Sequence, residues 1–460
     1  MAVNVRSLGL ILGPGVAILI GLLMFYSGFE AAGIITASVT ALVIVWWLFE
    51  PIPIPVTSLI PLTLFPMLGV LKIGDVSSSY GHPLILLLLG GFILSTAMEK
   101  SGAHRRIALT MLHRFGGDSP RRLILGFMAT SAVLSMWISN TATTLMLLPV
   151  AIAIIDQAKD DRFTVPLLLG VAHAASVGGI GTPIGTPPNL VFRGIYEQTT
   201  GDTVGFFEWM MWGVPVVLLF IPLMALWLTR NLNYKTNIQI PEIGTWTPAE
   251  KRVMAVFVFT ALAWICRTGP FDGWESWLGL PYSSDYMVAF ISAALFFLIP
   301  DGKGGRLLDW KTAERIPWGM LLLFGAGLSI AKAFMESGLS EVLADQLSAI
   351  GVLPAILIIL IICTGVTFLT EATSNTATTT LLMPILAAVA LGIAVDPRMF
   401  MVAAAMSASC AFMLPVATPP NVVVFSTDRF PVSRMVREGF VLNLIGVAII
   451  TLVCFLYFGL

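Results

Sequence analysis

The sequence predicts an all-α polytopic membrane protein of about eleven transmembrane helices plus two re-entrant hairpins, arranged as an inverted repeat. Three observations predict it. The 460 residues are 57% hydrophobic and only 11% charged, against roughly 25% charged in soluble domains. No soluble fold hides that much apolar surface, so the solvent is lipid. The tetrad Ser139-Asn140-Thr141-Ala142 recurs as Ser374-Asn375-Thr376-Ala377, about 235 residues later. Some 45 residues after each tetrad comes a second echo, Gly185-Thr186-Pro187-Pro188-Asn189 and Ala417-Thr418-Pro419-Pro420-Asn421. Two polar, helix-breaking clusters per half, repeated once, form the pattern of a carrier whose binding site lies at the repeat interface.

Composition also excludes. A net charge of −1 leaves no nucleic-acid footprint. Cys266, Cys363, Cys410 and Cys454 all lie in apolar segments, which favours buried thiols over disulfides, and no metal-ligand spacing appears. There is no nucleotide-binding loop, nucleophile elbow or paired-carboxylate motif, so the reading is not an enzyme.

Apolar runs place spans near 8–27, 31–49, 53–71, 83–99, 164–180, 210–229, 250–267, 284–300, 316–334, 398–414 and 436–458. The first run lacks a clear small-residue cleavage site and reads as a retained span. The stretches 121–157 and 353–392 carry the tetrads at their centres. Each is expected to enter and leave the membrane on one side and to unwind at its tip, which lipid forbids except around a buried cavity. Between span and hairpin lie short amphipathic pieces, 104–115 and 339–350. The first carries Arg105, Arg106 and Arg114 and is expected along the inner interface.

The positive charges fit this layout. With a cytoplasmic N-terminus and an outside C-terminus, about 20 of the 25 Lys and Arg fall inside. Lys72, Arg193, Arg267 and Arg398 fall outside, with Lys332 near a span end. The first hairpin then opens inward and the second outward. Five spans separate equivalent loops. That odd number inverts one half relative to the other and sets the two tips face to face near the midplane. The expected organisation is an N-terminal helix over 1–30, a first repeat over 31–230 with a broken helix at 185–189, a cytoplasmic linker over 231–249, and a second repeat over 250–460 with a broken helix at 417–421.

The two clusters offer hydroxyls, amides and freed backbone groups with almost no charge. A broken helix leaves unpaired N–H groups on one side of the break and C=O groups on the other. The N–H ends favour an anion; the C=O ends, with Ser, Thr and Asn oxygens, favour a small hard cation such as sodium. Bound together, the cation offsets part of the anion's charge in a low-dielectric site. Asn suits the tip because its oxygen can face a cation while its NH2 donates to a carboxylate. Pro187-Pro188 and Pro419-Pro420 each remove two donors in succession. A lone tetrad could equally be interhelical glue; duplication in register with a second cluster argues for a site.

These residues resemble the divalent anion/sodium symporter family, the INDY-type carriers, over nearly the whole chain from about residue 30. The stretches Ser135-Met136-Trp137-Ile138-Ser139-Asn140-Thr141-Ala142 and Cys410-Ala411-Phe412-Met413-Leu414-Pro415-Val416-Ala417-Thr418-Pro419-Pro420-Asn421 carry the resemblance. It implies a homodimer in the cell's inner (plasma) membrane, with a scaffold domain and a mobile transport domain moving as an elevator. It implies one sodium site from Ser135, Ser139, Asn140 and Gly185, and another from Thr370, Thr373, Asn375 and Ala417. It implies an anion held by Asn140, Thr141 and Thr186 on one side and by Asn375, Thr376 and Thr418 on the other, with Pro187 and Pro419 lining the pocket. Thr186 stands where relatives often carry Ser, and Thr373 where a close pattern has Ala. The implied activity is sodium-coupled import of a C4-dicarboxylate such as succinate, malate or fumarate. A sodium-independent dicarboxylate exchanger, or a citrate or sulfate carrier, are the alternatives.

Other polar residues have plainer readings. Glu371, four residues before Asn375, is a tuner of the second cation site, a proton acceptor, or a structural partner for a basic group or hydroxyl in the hairpin. His173 reads as a core histidine before a proton relay. Glu50 and His82 read as span-boundary residues. Trp46, Trp47, Trp209, Trp212, Trp274 and Trp277 read as interfacial anchors.

Overall fold

The computed structural model describes every residue except 1–4, 116–118, 159, 233–239, 241, 271, 348–352 and 460. Residues 233–239 and 241 of the expected linker 231–249 and the end of the piece 339–350 therefore lie outside the described residues. Helices follow one another throughout, with no strand among the described residues. Nine described helical segments are long and apolar enough to cross a bilayer. They begin with Leu8–Tyr26 and Ala31–Phe49 and end with Val432–Phe458. Large apolar side chains such as Ile11, Leu23, Leu218, Leu226 and Ile361 stand exposed on their outer faces, as a lipid solvent requires.

Local chemistry sets the helix ends. His82 caps the helix Pro83–Ser101, its ring nitrogen accepting from the Leu84 N–H, with Pro83 in the first turn. Gly102, at φ 77°, closes the same helix in the left-handed conformation. The amphipathic pieces form helices Ala103–Phe115 and Leu339–Leu347.

Two expected spans are broken. The stretch 53–71 forms two short helices, Ile54–Thr57 and Ile60–Met67. Pro61 cannot donate to the turn before it, so the helix parts at Ser58-Leu59. The freed Ser58 carbonyl accepts from Tyr80 Oη, and the Ser58 hydroxyl accepts from Trp47 Nε1 at 3.2 Å. The stretch 398–414 is helical only over Pro397–Ser407, and residues 408–418 follow an irregular path.

Several tryptophans expected at the interface are instead buried ties. Trp47, Trp209 and Trp212 are buried. Trp209 Nε1 donates to the Ile180 carbonyl at 2.8 Å and Trp274 Nε1 to the Ala263 carbonyl at 2.7 Å. A buried indole N–H must find an acceptor, and carbonyls freed beside breaks and helix ends supply it. Trp277 is exposed as expected.

Each tetrad separates two mutually packed helices, Pro120–Ser135 from Asn140–Ala158 and Ala355–Thr370 from Asn375–Gly392. The two halves interlock. Helix Pro187–Thr200 packs on Asn375–Gly392 and Pro397–Ser407, while helix Pro419–Phe425 packs on Asn140–Ala158 and Asp161–Gly178. Each helix that follows a break thus lies against the tip helix of the other half, which brings all four polar clusters together.

Candidate functional site

The first tip is built by a helix that stops at Ser135 and restarts at Asn140. Ser139 starts the new helix: its Oγ accepts from the Ala142 N–H at 3.1 Å and its carbonyl from the Thr143 N–H at 3.0 Å. At the second tip the Ser374 carbonyl accepts from Thr378 N–H at 2.8 Å. A hydroxyl five residues before each Asn braces it: Ser135 Oγ donates to Asn140 Oδ1 at 2.5 Å and Thr370 Oγ1 to Asn375 Oδ1 at 2.6 Å. Thr144 and Thr379 hydroxyls donate to the backbone carbonyls of Asn140 and Asn375. The two tips are the same device.

The breaks are matched as well. Thr186 and Thr418 sit in extended backbone before helices Pro187–Thr200 and Pro419–Phe425. Proline fits the first turn, where its missing N–H has no partner to lose. Asn189 Nδ2 donates to the Gly179 and Thr182 carbonyls at 2.9 and 2.7 Å. Asn421 Nδ2 donates to the Ala411 and Leu414 carbonyls, each at 3.0 Å. Two freed carbonyls are thus satisfied by one amide in each half.

All four clusters face one cavity of about 820 Å³. Its wall includes Ser139, Asn140, Thr141, Gly185, Thr186 and Pro187 from the first half, and Thr373, Asn375, Thr376, Ala417, Thr418 and Pro419 from the second. Ser135 and Thr370 are fully buried behind the wall. Thus every predicted anion-contacting residue lines the cavity, and the predicted cation residues line it or stand directly behind. Four helices begin at this wall, and helix N-termini favour negative charge.

Three oxygens converge on the Asn140 amide. As placed, Asn140 Oδ1 lies 2.5 Å from Ser135 Oγ and 3.3 Å from both the Gly185 and Ala175 carbonyls. Two arrangements satisfy that convergence. The amide can turn, so that its two N–H groups are shared among the Ser135 hydroxyl and the two carbonyls; or a hard cation can sit among the oxygens. Gly185 permits it, because a Cβ there would stand 2.5 Å from the Gly179 carbonyl oxygen. At the second tip Thr370 Oγ1 also reaches the Ala408 carbonyl at 3.1 Å. The Thr373 hydroxyl is taken by the Leu369 carbonyl and the Thr378 hydroxyl, at 2.9 and 2.5 Å.

Sequence reasoning missed several contributors. The Ala175 carbonyl carried no signal. The bracing role of Asn189 and Asn421 was signalled by their duplication. Glu99 and Arg315 also line the cavity. The Glu371 carboxylate accepts not from a base but from the Phe412, Met413 and Leu414 N–H groups and from Asn443. His173 is buried with its ring against Phe412, centroids 4.9 Å apart, and neither ring nitrogen has a hydrogen-bond partner among the described residues.

A polytopic helical protein with duplicated tips and breaks around one cavity is a membrane carrier by architecture, and comparison gives the family. The family model described as citrate transporter, CitMHS, matches residues 44–405. The chain belongs to this family, of the divalent anion/sodium symporter type that its motifs resemble. It is 38% identical to the protein named sodium-dependent dicarboxylate transporter SdcS of Staphylococcus saprophyticus, covering 98% of this chain and 91% of the relative. It is 39% identical to the SdcS proteins of Staphylococcus aureus over the same shares. Among solved structures, the YdaH transporter of Alcanivorax borkumensis matches with a TM-score of 0.61 at 16% identity, covering 83% of this chain and 87% of that one. That likeness shows a shared fold.

Proposed function

We propose that the protein is a secondary active transporter that imports a divalent C4-dicarboxylate, such as succinate, malate or fumarate, with sodium. The observation that carries this reading is the single cavity faced by both Asn tips and both Thr-Pro breaks. Helix starts and the Asn140, Asn375, Thr186 and Thr418 side chains meet the carboxylates, two opposed ends for two charged groups. Sodium ions bind first, one among Ser135, Ser139, Asn140 and Gly185, the other among Thr370, Thr373, Asn375 and Ala417. Their charge makes the cavity hospitable to a dianion that no Lys or Arg of the tips could neutralise. The names of the staphylococcal relatives support both the cargo and the ion.

The charge layout favours a cytoplasmic N-terminus and an outside C-terminus in the cell membrane. In that orientation the cavity reaches the cytoplasmic ends of the helices, where Glu50, Glu99 and Arg315 line it. This is an inward-facing arrangement. The two hairpins, 121–157 and 353–392, enter from opposite sides and move with the broken helices as one transport domain. The spans near 31–71 and 250–300, within repeats 31–230 and 250–460, form the scaffold and the dimer contact.

The test is uptake of labelled succinate by proteoliposomes, with and without an inward sodium gradient. Asn140→Ala is expected to abolish sodium-dependent uptake while the protein still purifies as a folded species. Unchanged uptake refutes the site. Counterflow that proceeds equally without sodium would replace symport by exchange.

A further inference from the structure

The irregular segment 408–418 has no helix to satisfy its backbone, yet it is held from both its acceptor and its donor side. On its acceptor side, Asn421 holds the carbonyls of Ala411 and Leu414. On its donor side, three successive N–H groups point at one carboxylate. Phe412 and Met413 N–H reach Glu371 Oε1 at 2.7 and 2.9 Å, and Leu414 N–H reaches Oε2 at 3.0 Å. Asn443 Nδ2, from the last helix, makes a fourth bond to Oε1 at 2.8 Å. Glu371 is buried, and all four of these partners are neutral. Its charge is therefore spread over N–H dipoles and not cancelled by a cation, and such charge-assisted bonds are the stronger kind.

What the clamp holds is the strand that leads to the cavity. The Leu414 carbonyl accepts from the Ala417 N–H at 3.2 Å. A shift at Leu414 is passed to Ala417 through that bond, and Ala417 and Thr418 line the cavity. Glu371 itself directly follows Thr370, whose hydroxyl bridges Asn375 Oδ1 and the Ala408 carbonyl. The carboxylate thus joins the two parts of the second cation site, the tip and the break, at the point where both meet.

We infer that Glu371 is the positioning residue of the second sodium site. It sets the segment 412–418 against the Thr370–Asn375 pair, and its net negative charge adds attraction for the cation. The inference rests on the sodium-coupled reading above. The first half has no such residue: Met136 stands at the place of Glu371 and offers only its backbone carbonyl, to the Thr182 hydroxyl. The two sodium sites should therefore differ in how they depend on a charge.

The experiment is a sodium titration of labelled succinate uptake in proteoliposomes by wild type, Glu371→Gln, Glu371→Asp and Asn443→Leu. Gln keeps the size but turns an NH2 toward at least one N–H, and it removes the charge. Its half-saturating sodium is expected to rise about fivefold or more, with maximal rate at saturating sodium within about threefold of wild type. Glu371→Asp, which keeps the charge, is expected to fall between them. Asn443→Leu removes one donor and is expected to shift half-saturating sodium by about twofold in the same direction. A residue that merely braced the fold would lower the amount of folded protein or the maximal rate and leave half-saturating sodium unmoved, and that outcome overturns the inference. If Glu371→Gln fails to fold, Asn443→Leu decides, and an unmoved sodium titration there overturns it too. A wild type that takes up succinate without sodium would sink the sodium-coupled reading first, a result distinguishable from an unshifted mutant.

Discussion

The two breaks share a sequence motif and differ in how they satisfy their backbone. Around Gly179–Gly181 the chain keeps a single 3-10 turn, and the glycines let backbones touch. A Cβ on Gly178 would stand 2.3 Å from the Ala132 carbonyl oxygen, and one on Gly181 would stand 2.7 Å from the Met136 side chain. The second break, 408–418, has no such turn and has Ala411 and Ala417 where the first has Gly179 and Gly185. It hands three of its N–H groups to Glu371. The first break is thus solved by close packing and the second by a buried charge. The shared Thr-Pro-Pro-Asn cluster fixes where the helix restarts and which amide ties the carbonyls, and leaves the rest of the loop free to diverge.

The sharpest way to break this comparison is to exchange the small residues. In Gly185→Ala the new Cβ would lie 2.5 Å from the Gly179 carbonyl oxygen and 2.9 Å from its Cα. Both are backbone atoms and cannot swing aside, so the break must reshape at the oxygens around Asn140. Succinate uptake is expected to fall by more than about a hundredfold, from displacement on the order of 1 Å. Ala417→Gly adds no clash and costs only added chain freedom, about 0.5–1 kcal/mol in regular structure; uptake is expected to stay within about fivefold. Similar losses from both variants would show that the breaks are not built differently.

A second difference concerns what ties each restarted helix to the rest of the molecule. Arg193, on helix Pro187–Thr200, makes a buried ion pair with Asp285 at 2.9 Å, and Asp285 also binds Arg267 at 2.7 Å. In the register of the repeat, Phe425 takes the place of Arg193 and packs edge-on to Phe430. Only the first half thus holds a charged tie to helix Asp285–Leu298 at this position. On the proposed elevator reading, with that helix as scaffold, the pair must part in each transport cycle. Asp285→Asn leaves the buried Arg193 guanidinium without its carboxylate, while Arg267 keeps Glu275 at 2.5 Å, and removing one partner of a buried pair costs about 3–5 kcal/mol. The thermal midpoint of the purified protein is expected to drop far more than for Phe425→Leu. Equal drops would show that the tie carries no special weight.

Much of this site was legible because the motif residues act locally. Ser139 and Ser374 start helices within three or four residues of themselves, and the Pro-Pro pairs do the same. Duplication then identified the tips and breaks as one site. What the sequence hid was long-range. Glu371 finds its donors 41 to 72 residues away, and no local pattern distinguishes N–H groups from a base as its partners. The run 53–71 reads as a span by apolarity, yet Pro61 divides it, and the partner that satisfies the gap, Tyr80, lies 22 residues on from Ser58. The tryptophans misled for the same reason. Their position near predicted span ends said interface, while their N–H groups were needed by carbonyls freed inside the protein.

The smallest expected effect tests whether the halves still match at their edges. Lys100, ending helix Pro83–Ser101, pairs with Asp309 at 2.6 Å; Lys332, near the end of helix Trp318–Glu336, pairs with Asp75 at 2.8 Å. Each pair joins one repeat to the other at nearly equivalent places. Lys100 beside it, with the Thr312 N–H and hydroxyl, holds the Asp309 carboxyl down to about 2 from its ordinary 3.8. A depressed carboxyl pKa stabilises the folded state above the unfolded value, and the effect fades as pH falls from about 4 toward 2. The pair is half exposed, with Asp309 at 51%, so solvent and salt screen most of it. Asp309→Asn is expected to lower the thermal midpoint by only about 1–2 °C at neutral pH in low salt. The difference from wild type should shrink in high salt and vanish near pH 2. A Lys332→Met variant is expected to behave alike in size and salt response. A drop from either one as large as that of Asp285→Asn would mean that these edge pairs, and not the buried tie, hold the repeats together.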